Sequence, residues 1–294
     1  MNYRFKRENV DFYSKGTRCS AWFYLPEAEK KTPIIVMANG FGGTRENRLY
    51  EYAEKFVTAG YACFLFDYRN YGASDGNKRQ LINAKMQLED WNSAIEHIKK
   101  DGRIDGQKLL LFGTCFAGGH VIWLSAHRKD ITATVAQCPY TDTLATIKAV
   151  GAGYILKKLP FVFADLLTCI TGYHPVMLKL ATYKGENAFM EADKKTTMQM
   201  IGNSTFINKA PARSLLEFIK YSPGKFFDKI TIPIYVAACS RDTLVPGEKT
   251  IQLAKRAEHS ICKKYDCRHF DIYLNECFEE AINDYINFYN QIFS

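Results

Sequence analysis

The first half of the chain alternates continuous apolar runs with amphipathic segments. The runs at residues 33–38, 61–68 and 108–114 carry few polar residues, which is typical of parallel strands buried on both faces. Between the second and third runs, apolar residues recur at helical spacing, at Leu88, Trp91, Ile95 and Ile98. This alternation predicts an α/β fold in which helices flank a mostly parallel central sheet.

The alternation stops after residue 140 and resumes with the apolar run at residues 232–239. The segment between them contains apolar helical pieces and no clear strand pattern. Insertions at the carboxyl ends of parallel strands overhang the site of an α/β protein. We therefore predict a core domain of residues 1–140 and 226–294 and an inserted helical lid of residues 141–225. Extra packing helices without a role at the site are the alternative interpretation.

Charge and hydropathy exclude several classes of partner. The net charge is +8, but 39 basic residues are interspersed with 31 acidic ones and form only short clusters, so we expect no nucleic-acid partner. The most apolar segment, residues 159–173, is shorter than the roughly 20 residues that span a bilayer. We therefore expect no stable membrane insertion.

Cysteine usage indicates a reducing environment. The chain has nine cysteines, an odd number without regular spacing, and several lie in apolar runs. This pattern does not suit a disulfide framework. The N-terminus leads into no apolar stretch, so no signal peptide is expected and a cytoplasmic location is predicted. No Cys/His cluster has the spacing of metal ligands, and we expect neither a metal nor a cofactor.

The segment at residues 110–119, LLFGTCFAGG, passes directly from a predicted strand into a helix. This is the context of the G-x-S-x-G nucleophile elbow, with Cys115 in place of the serine. The elbow needs positive φ at its central residue and small residues two positions away on either side, here Gly113 and Ala117. The thiol would lie at a helix N-terminus, which favours thiolate. A buried structural cysteine at a strand end is the alternative.

Two downstream residues complete a candidate catalytic triad. Asp242 comes just after the apolar run at residues 232–239, and His269 lies in a loop after the last predicted strand. The order nucleophile, acid, histidine is the one that the α/β-hydrolase fold uses. Asp242 as a simple helix cap and His269 as a structural histidine are the alternatives, but the two residues together with the elbow favour the triad.

A glycine-rich loop at residues 38–44, ANGFGGT, follows the first long parallel strand. Glycines let the backbone approach a developing oxyanion, and the backbone N–H groups of Phe41 and Phe116 would be the donors. A phosphate cradle is the alternative interpretation, but no Lys-Ser/Thr pair stands at Walker spacing.

With these motifs, the chain resembles the α/β-hydrolase superfamily, and specifically its dienelactone-hydrolase-like branch, which uses a Cys-His-Asp triad. The resemblance covers nearly the whole chain and is carried by residues 38–47, 67–76, 113–120, 238–246 and 268–273. Residues 221–234 are also similar to a subgroup related to fungal polyketide transferases. The resemblance implies an α/β-hydrolase fold and site roles for Cys115, Asp242, His269, Phe41 and Phe116.

Two residues depart from the pattern of these relatives. Asn39 stands where many have histidine before the glycine, and Ala117 stands where glycine is commoner. The first departure suggests a differently tuned oxyanion loop, and the second tightens the elbow slightly.

We therefore expect a hydrolase that cleaves an acyl ester, lactone or thioester through an acyl-Cys115 intermediate. Acyl transfer from a carrier thioester to an alcohol or amine is one alternative. A non-catalytic ligand receptor is the other, which an intact triad disfavours. The expected partner is a small acyl compound, free or held on a carrier protein or CoA, and a homodimer is one expected assembly. In the lid, Tyr154, Phe161 and Phe163 are predicted to contact the acyl chain, unless they form the lid's own core.

Overall fold

The computed structural model describes residues 2–182, 188–191 and 206–294. Its strands are β1 (Phe5–Ser14), β2 (Thr17–Pro26), β3 (Thr32–Ala38), β4 (Ala62–Phe66), β5 (Ile104–Thr114), β6 (Ala133–Gln137), β7 (Met177–Thr182), β8 (Ala188–Glu191), β9 (Ala210–Pro211), β10 (Ile234–Cys239) and β11 (Ser260–Tyr265). Its α-helices are α1 (Leu49–Thr58), α2 (Ala84–Ile98), α3 (Phe116–His127), α4 (Thr143–Val150), α5 (Ala152–Leu156), α6 (Leu159–Thr171), α7 (Leu215–Lys220), α8 (Gly247–Ala254) and α9 (Asn275–Phe293).

The central sheet contains eight strands within the described residues, in the order β1-β2-β4-β3-β5-β6-β10-β11. The strands β1, β2 and β4 pair antiparallel, and every later neighbouring pair from β4 to β11 is parallel. The predicted α/β fold with a mostly parallel sheet is confirmed. Because parallel strands end at the same edge, the loops that follow β3, β5, β6, β10 and β11 are brought together.

The sheet is buried on both faces, which explains the continuous apolar runs. In β3, Ile34 and Val36 face the core formed with α2 and α3, whereas Ile35 and Met37 face the core formed with α1 and α9. All four side chains are fully buried, and each such side chain stabilises the fold by roughly 1.5–3 kcal/mol. This two-sided core supports the carboxyl edge of the sheet.

The segment 141–225 follows β6 and therefore leaves the sheet at its carboxyl edge. It contains helices α4 to α7, as predicted, but also a second sheet in the order β8-β7-β9. The expectation of a segment without strands is wrong for the described residues. In β7, Leu178 and Leu180 are buried while Lys179 is exposed, and so short an alternation is hard to distinguish beside the longer helical pieces.

Among the described residues, no helix combines the length and the apolar character that a membrane crossing requires.

Candidate active site

The predicted nucleophile elbow is a tight turn between β5 and α3. Cys115 has φ 54° and ψ −117°, a conformation that costs free energy for a residue with a side chain. Gly113 is required here, because a Cβ atom at this position would lie 2.3 Å from the backbone oxygen of Ala117. The backbone of Cys115 is also fixed, since its N–H donates to Gln137 O at 2.9 Å and its carbonyl accepts from Tyr140 N at 2.9 Å. The sulfur is therefore held at the helix N-terminus by the sheet itself.

Asp242 and His269 are brought together across 27 positions of sequence. His269 Nδ1 lies 2.6 Å from Asp242 Oδ2, and the other carboxylate oxygen accepts the N–H groups of Leu244 and Val245 at 2.8 Å each. The two side chains are only 3% and 1% exposed. With Nδ1–H donating to the carboxylate, Nε2 is the ring nitrogen left for chemistry.

The electrostatics of His269 follow from this geometry. Burial opposes protonation of the ring, but the Asp242 carboxylate, followed by Cys115, outweighs burial and raises the pKa of His269 well above 6.5. Nε2 is buried without a well-oriented hydrogen bond to any described residue. Cys115 therefore lies close enough to this ring to act on the charge of His269.

The glycine-rich loop after β3 contacts the elbow directly. A Cβ atom on Gly40 would lie 2.7 Å from Cys115 Cβ and 3.3 Å from Phe116 N. The rings of Phe41 and Phe116 also meet edge to face, with 5.7 Å between their centroids. Neither backbone N–H donates a hydrogen bond to another described residue. Both groups remain available for a ligand oxygen.

The Asn39 side chain holds this loop through hydrogen bonds to its backbone. Its Oδ1 accepts from Gly40 N at 2.7 Å, and its Nδ2 donates to Thr44 O at 2.8 Å and to Asn47 O at 3.1 Å. Asn47 Oδ1 in turn accepts from Thr44 N at 2.8 Å. The asparagine therefore holds the loop in shape from within, a role that sequence reasoning did not assign to it.

A cavity opens beside Cys115. Its described lining is mostly apolar and comes from both parts of the chain: Asn39, Gly40, Phe41, Gly43, Asn47, Cys115, Leu180, Ala181, Met190, Phe206, Phe270 and Tyr273. Strands β7 and β8 of the inserted segment supply Leu180, Ala181 and Met190. The segment 141–225 therefore forms one wall of the candidate site.

The three predicted lid contacts lie elsewhere. Tyr154 donates its hydroxyl to Ala188 O at 2.9 Å, Phe161 packs half-buried against the main core, and Phe163 is 64% exposed. None of these three side chains lines the cavity. The periodicity that suggested these residues identifies an apolar helix without telling which of its faces meets the cavity.

Tyr273 is a site residue that sequence reasoning did not identify. It lines the cavity, and its hydroxyl hydrogen bonds to the Thr114 hydroxyl directly before Cys115. Thr114 Oγ1 also accepts from Gln137 Nε2 at 3.1 Å, and Gln137 Oε1 accepts from Tyr285 at 3.0 Å. Burial raises the pKa of Tyr273 well above 10, which keeps it a neutral donor. This buried hydrogen-bond network holds Thr114, the residue directly before Cys115.

Cys138, Asp242 and His269 also carry the donor types of a metal site, with ligand atoms within 4.8 Å of one another. Within this group, His269 Nδ1 and Asp242 Oδ2 are already joined by a hydrogen bond of 2.6 Å.

Comparison with known proteins shows the family of the chain. The family described as serine aminopeptidase, S33, within the α/β hydrolases, matches residues 29–269. The chain belongs to this α/β-hydrolase family. The matched range includes the glycine-rich loop, the elbow, Asp242 and His269.

Relatives within the superfamily have several names. The chain is 38% identical to "Quorum-quenching protein AidA" of Acinetobacter baumannii (strain MDR-ZJ06) over 287 residues, 97% of this chain and 94% of the relative. It is 30% identical to "Polyketide transferase grgF" of Penicillium sp over 138 residues, 47% of this chain and 46% of the relative. It is 32% identical to "Thiohydrolase aneE" of Aspergillus aculeatus (strain ATCC 16872 / CBS 172.66 / WB 5094) over 127 residues, 43% and 39% of the two chains.

The fold of this α/β hydrolase is shared with a solved relative. The crystal structure of GrgF from Penicillium sp. sh18 superposes with a TM-score of 0.82 at 20% identity, covering 97% of this chain and 98% of the other. The predicted α/β-hydrolase fold is thereby confirmed. Membership of the dienelactone-hydrolase-like branch stays a prediction.

Proposed function

We propose that this α/β hydrolase uses Cys115 as a nucleophile to cleave an acyl ester, lactone or thioester. The observation that carries the proposal is the position of Cys115, which lies at a strained elbow, on the cavity wall and beside the buried His269–Asp242 pair. A merely structural cysteine would need neither the strained φ nor a charged partner. The proposed roles are nucleophile for Cys115, general acid and base for His269, and orienting acid for Asp242.

The reaction would proceed in two halves. The Cys115 thiolate attacks the acyl carbonyl, and the oxyanion accepts hydrogen bonds from the Phe41 and Phe116 N–H groups, each worth about 2.7–4 kcal/mol in comparable sites. The imidazolium of His269 then protonates the leaving alcohol or thiol. In the second half, neutral His269 removes a proton from water, which attacks the acyl-Cys115 thioester and releases the acid.

Thioesters and lactones are the substrate classes that the proposal favours. Attack of a thiolate on a thioester exchanges one thioester for another and is nearly balanced in free energy, and the apolar cavity suits an acyl chain. The relative named a thiohydrolase supports thioester cleavage. The relative named a quorum-quenching protein supports action on a diffusible signal, for which an acylated lactone is our proposed class.

Acyl transfer is the second candidate, favoured by the relative named a polyketide transferase and by the apolar lining of the cavity. An acyl-cysteine remains activated towards alcohols and amines. A cavity that excludes water would direct it to an organic acceptor. The donor in this case would be a thioester carried on CoA or on a carrier protein.

The deciding experiment traps the intermediate. The protein is mixed with an octanoyl thioester, the matching oxygen ester and an N-octanoylated amino lactone, quenched with acid and digested for peptide mass mapping. We expect an octanoyl adduct on Cys115 from the thioester or the ester, or the ring-opened N-octanoylamino acyl adduct from the lactone, and turnover of at least one substrate. Turnover that persists in Cys115→Ala, or an adduct on another residue, would contradict the proposal. Stoichiometric binding without turnover of any probe would favour the receptor alternative.

The same assay separates hydrolysis from transfer. A small alcohol or amine is added in increasing concentration, and the free acid and the ester or amide product are measured together. A rise of ester or amide at the expense of acid supports transfer. Free acid alone at every acceptor concentration supports hydrolysis.

A further inference from the structure

Four neighbouring strands of the central sheet each have a cysteine at or just after their carboxyl end. In the sheet order β5-β6-β10-β11, Cys115 follows β5, Cys138 follows β6, Cys239 ends β10 and Cys267 lies two residues beyond β11. Because these strands are parallel, all four cysteines lie at the same edge of the sheet, beside the candidate triad. We refer to Cys115, Cys138, Cys239 and Cys267 as the cysteine row.

The sulfur atoms of the inner members are close enough to react. Cys138 Sγ lies 3.0 Å from Cys239 Sγ, and Cys239 Sγ lies 3.4 Å from Cys267 Sγ. A disulfide bond is about 2.05 Å long, so the first pair needs a shift of only about 1 Å. All three side chains are at most 2% exposed. A reagent in solution therefore does not react first with these three thiols.

Cys115 connects the row to solvent. It is the partly exposed member and lies on the cavity wall. Thr114 and Gln137 are paired at the ends of β5 and β6, and Cys115 and Cys138 are the residues that directly follow them. The two backbones meet at this point, because the Cys115 N–H donates to Gln137 O at 2.9 Å. Cys138 Sγ also lies within 4.8 Å of a ring nitrogen of His269.

We propose that Cys138 and Cys239 form a disulfide site that takes up the oxidising equivalent of a small peroxide from Cys115. The inference rests on the proposed function in one respect, namely that Cys115 is a reactive thiolate. It adds a modification site and a resolving role for Cys138 that hydrolysis itself does not require.

The steps balance as follows. The Cys115 thiolate attacks hydrogen peroxide, and with one proton it gives Cys115 sulfenic acid and water. The Cys138 thiol attacks this sulfur, a Cys115–Cys138 disulfide forms and a second water leaves. The Cys239 thiol then attacks Cys138 Sγ, so that a Cys138–Cys239 disulfide forms, Cys115 leaves as thiolate and the proton of the Cys239 thiol is released to water. Two thiols are oxidised, one peroxide is reduced to two waters, and Cys115 is regenerated.

The disulfide site would protect Cys115 against irreversible oxidation. A sulfenic acid without a resolving thiol proceeds with further peroxide to sulfinic acid, which reductants such as dithiothreitol do not reverse. With Cys138 and Cys239 in place, the first equivalent of peroxide oxidises this buried pair to a disulfide. Cys115 then returns to its reduced form.

The test treats the full chain with one and then several equivalents of hydrogen peroxide. Activity before and after dithiothreitol is compared with peptide mass mapping for wild type, Cys138→Ala and Cys239→Ala. In wild type we expect retained activity after the first equivalent and a Cys138–Cys239 peptide that is about 2 Da lighter than the two thiols. Cys239→Ala should stop at Cys115–Cys138, inactive but recovered by dithiothreitol. Cys138→Ala should lose about tenfold or more of its activity without recovery and should carry Cys115 sulfinic acid.

Matched controls keep the test decisive. Cys262→Ala removes a half-buried thiol on β11 outside the row and should behave as wild type. Cys138→Ser preserves side-chain size if the alanine variant folds poorly, and it should show the same irreversible loss. Sulfinic Cys115 in wild type with Cys138 and Cys239 both free would overturn the inference. The mapping is independent of turnover, so a failure of the proposed function, seen as an active Cys115→Ala variant, is distinguished from a failure of the disulfide site.

Discussion

The carboxyl edge of the sheet and the inserted segment 141–225 border the same cavity, but they differ in how firmly their side chains are held. At the sheet edge, the side chains of Asp242 and His269 are 1% and 3% exposed and hydrogen bonded to each other. On α6 of the inserted segment, Phe163 and Ile170 are 64% and 84% exposed. The comparison teaches that the side chains of the candidate triad are fixed by the sheet, whereas the inserted segment that forms one wall of the cavity leaves more of its apolar side chains exposed.

One side of α6 is nonetheless tied down. Asp165 is fully buried, accepts from Val176 N at 2.9 Å and forms an ion pair with Arg213 at 2.9 Å. The opposite side carries exposed apolar residues at helical spacing, Phe163, Leu166, Leu167 and Ile170. The inserted segment is therefore anchored by a polar contact and leaves much of its apolar surface outside the cavity. Changes at the two regions should separate catalysis from substrate choice, and the predictions below are ordered by expected size.

The largest effect is expected at the sheet edge, from Cys115→Ala. Loss of the nucleophile should lower kcat by a factor of up to about a million, because the covalent route is removed. Thermal melting should change little, since the thiol is not part of the core. Initial rates with a chromogenic thioester and a melting curve check both expectations. A variant that keeps a tenth of the wild-type kcat would show that Cys115 is not the nucleophile.

Asp242→Asn should have the second-largest effect. The amide cannot hold the imidazolium, and kcat should fall by roughly 10²- to 10⁴-fold, somewhat less than for the nucleophile. Asp266→Asn is the matched control, because that side chain is 86% exposed and pairs with Arg241 in solvent. If the Asp266 variant lost more activity than the Asp242 variant, the acid of the triad would have to be reassigned.

Met190→Ala should change substrate choice and leave chemistry intact. Met190 lines the cavity from β8, and each methylene group that such a pocket binds is worth roughly 1–3 kcal/mol of discrimination between substrates. The ratio of kcat/KM between long and short acyl chains should shift by about tenfold. Phe163→Ala, an exposed change in the same segment, should leave this ratio unchanged. A uniform decrease across all chain lengths in the Met190 variant would argue for packing alone.

The smallest effect concerns stability and pH. The folded pKa of His269 is raised, against burial, by Asp242 and Cys115, so the charged pair contributes stability that is complete below about pH 6.5. This contribution is lost as the pH rises through the higher folded pKa. The melting temperature of wild type minus that of Asp242→Asn should therefore be largest near pH 6.5 and decrease at higher pH. A difference that increases with pH would contradict a stabilising charge pair between His269 and Asp242.

The sequence predicted correctly those residues whose type is required by the local backbone conformation. The steric need of the elbow predicts Gly113, and the 2.3 Å approach of Ala117 O accounts for it. Chain order predicts Asp242 and His269, because each follows a strand whose end must reach the same edge. Asn39 stands out in the sequence only as a departure, since its three hydrogen bonds to the loop form only when the loop is folded.

By itself, the sequence determined the α/β fold, the elbow and the members of the candidate triad, because strand burial, positive φ and chain order leave direct marks on residue type. Tertiary structure alone decided that Met190 and Tyr273 line the cavity while Phe163 faces solvent. It also decided that Cys138 and Cys239 meet at 3.0 Å across 101 positions of chain. Such contacts depend on which helix face turns inward and which strands become neighbours, and neither is a property of any local stretch of residues.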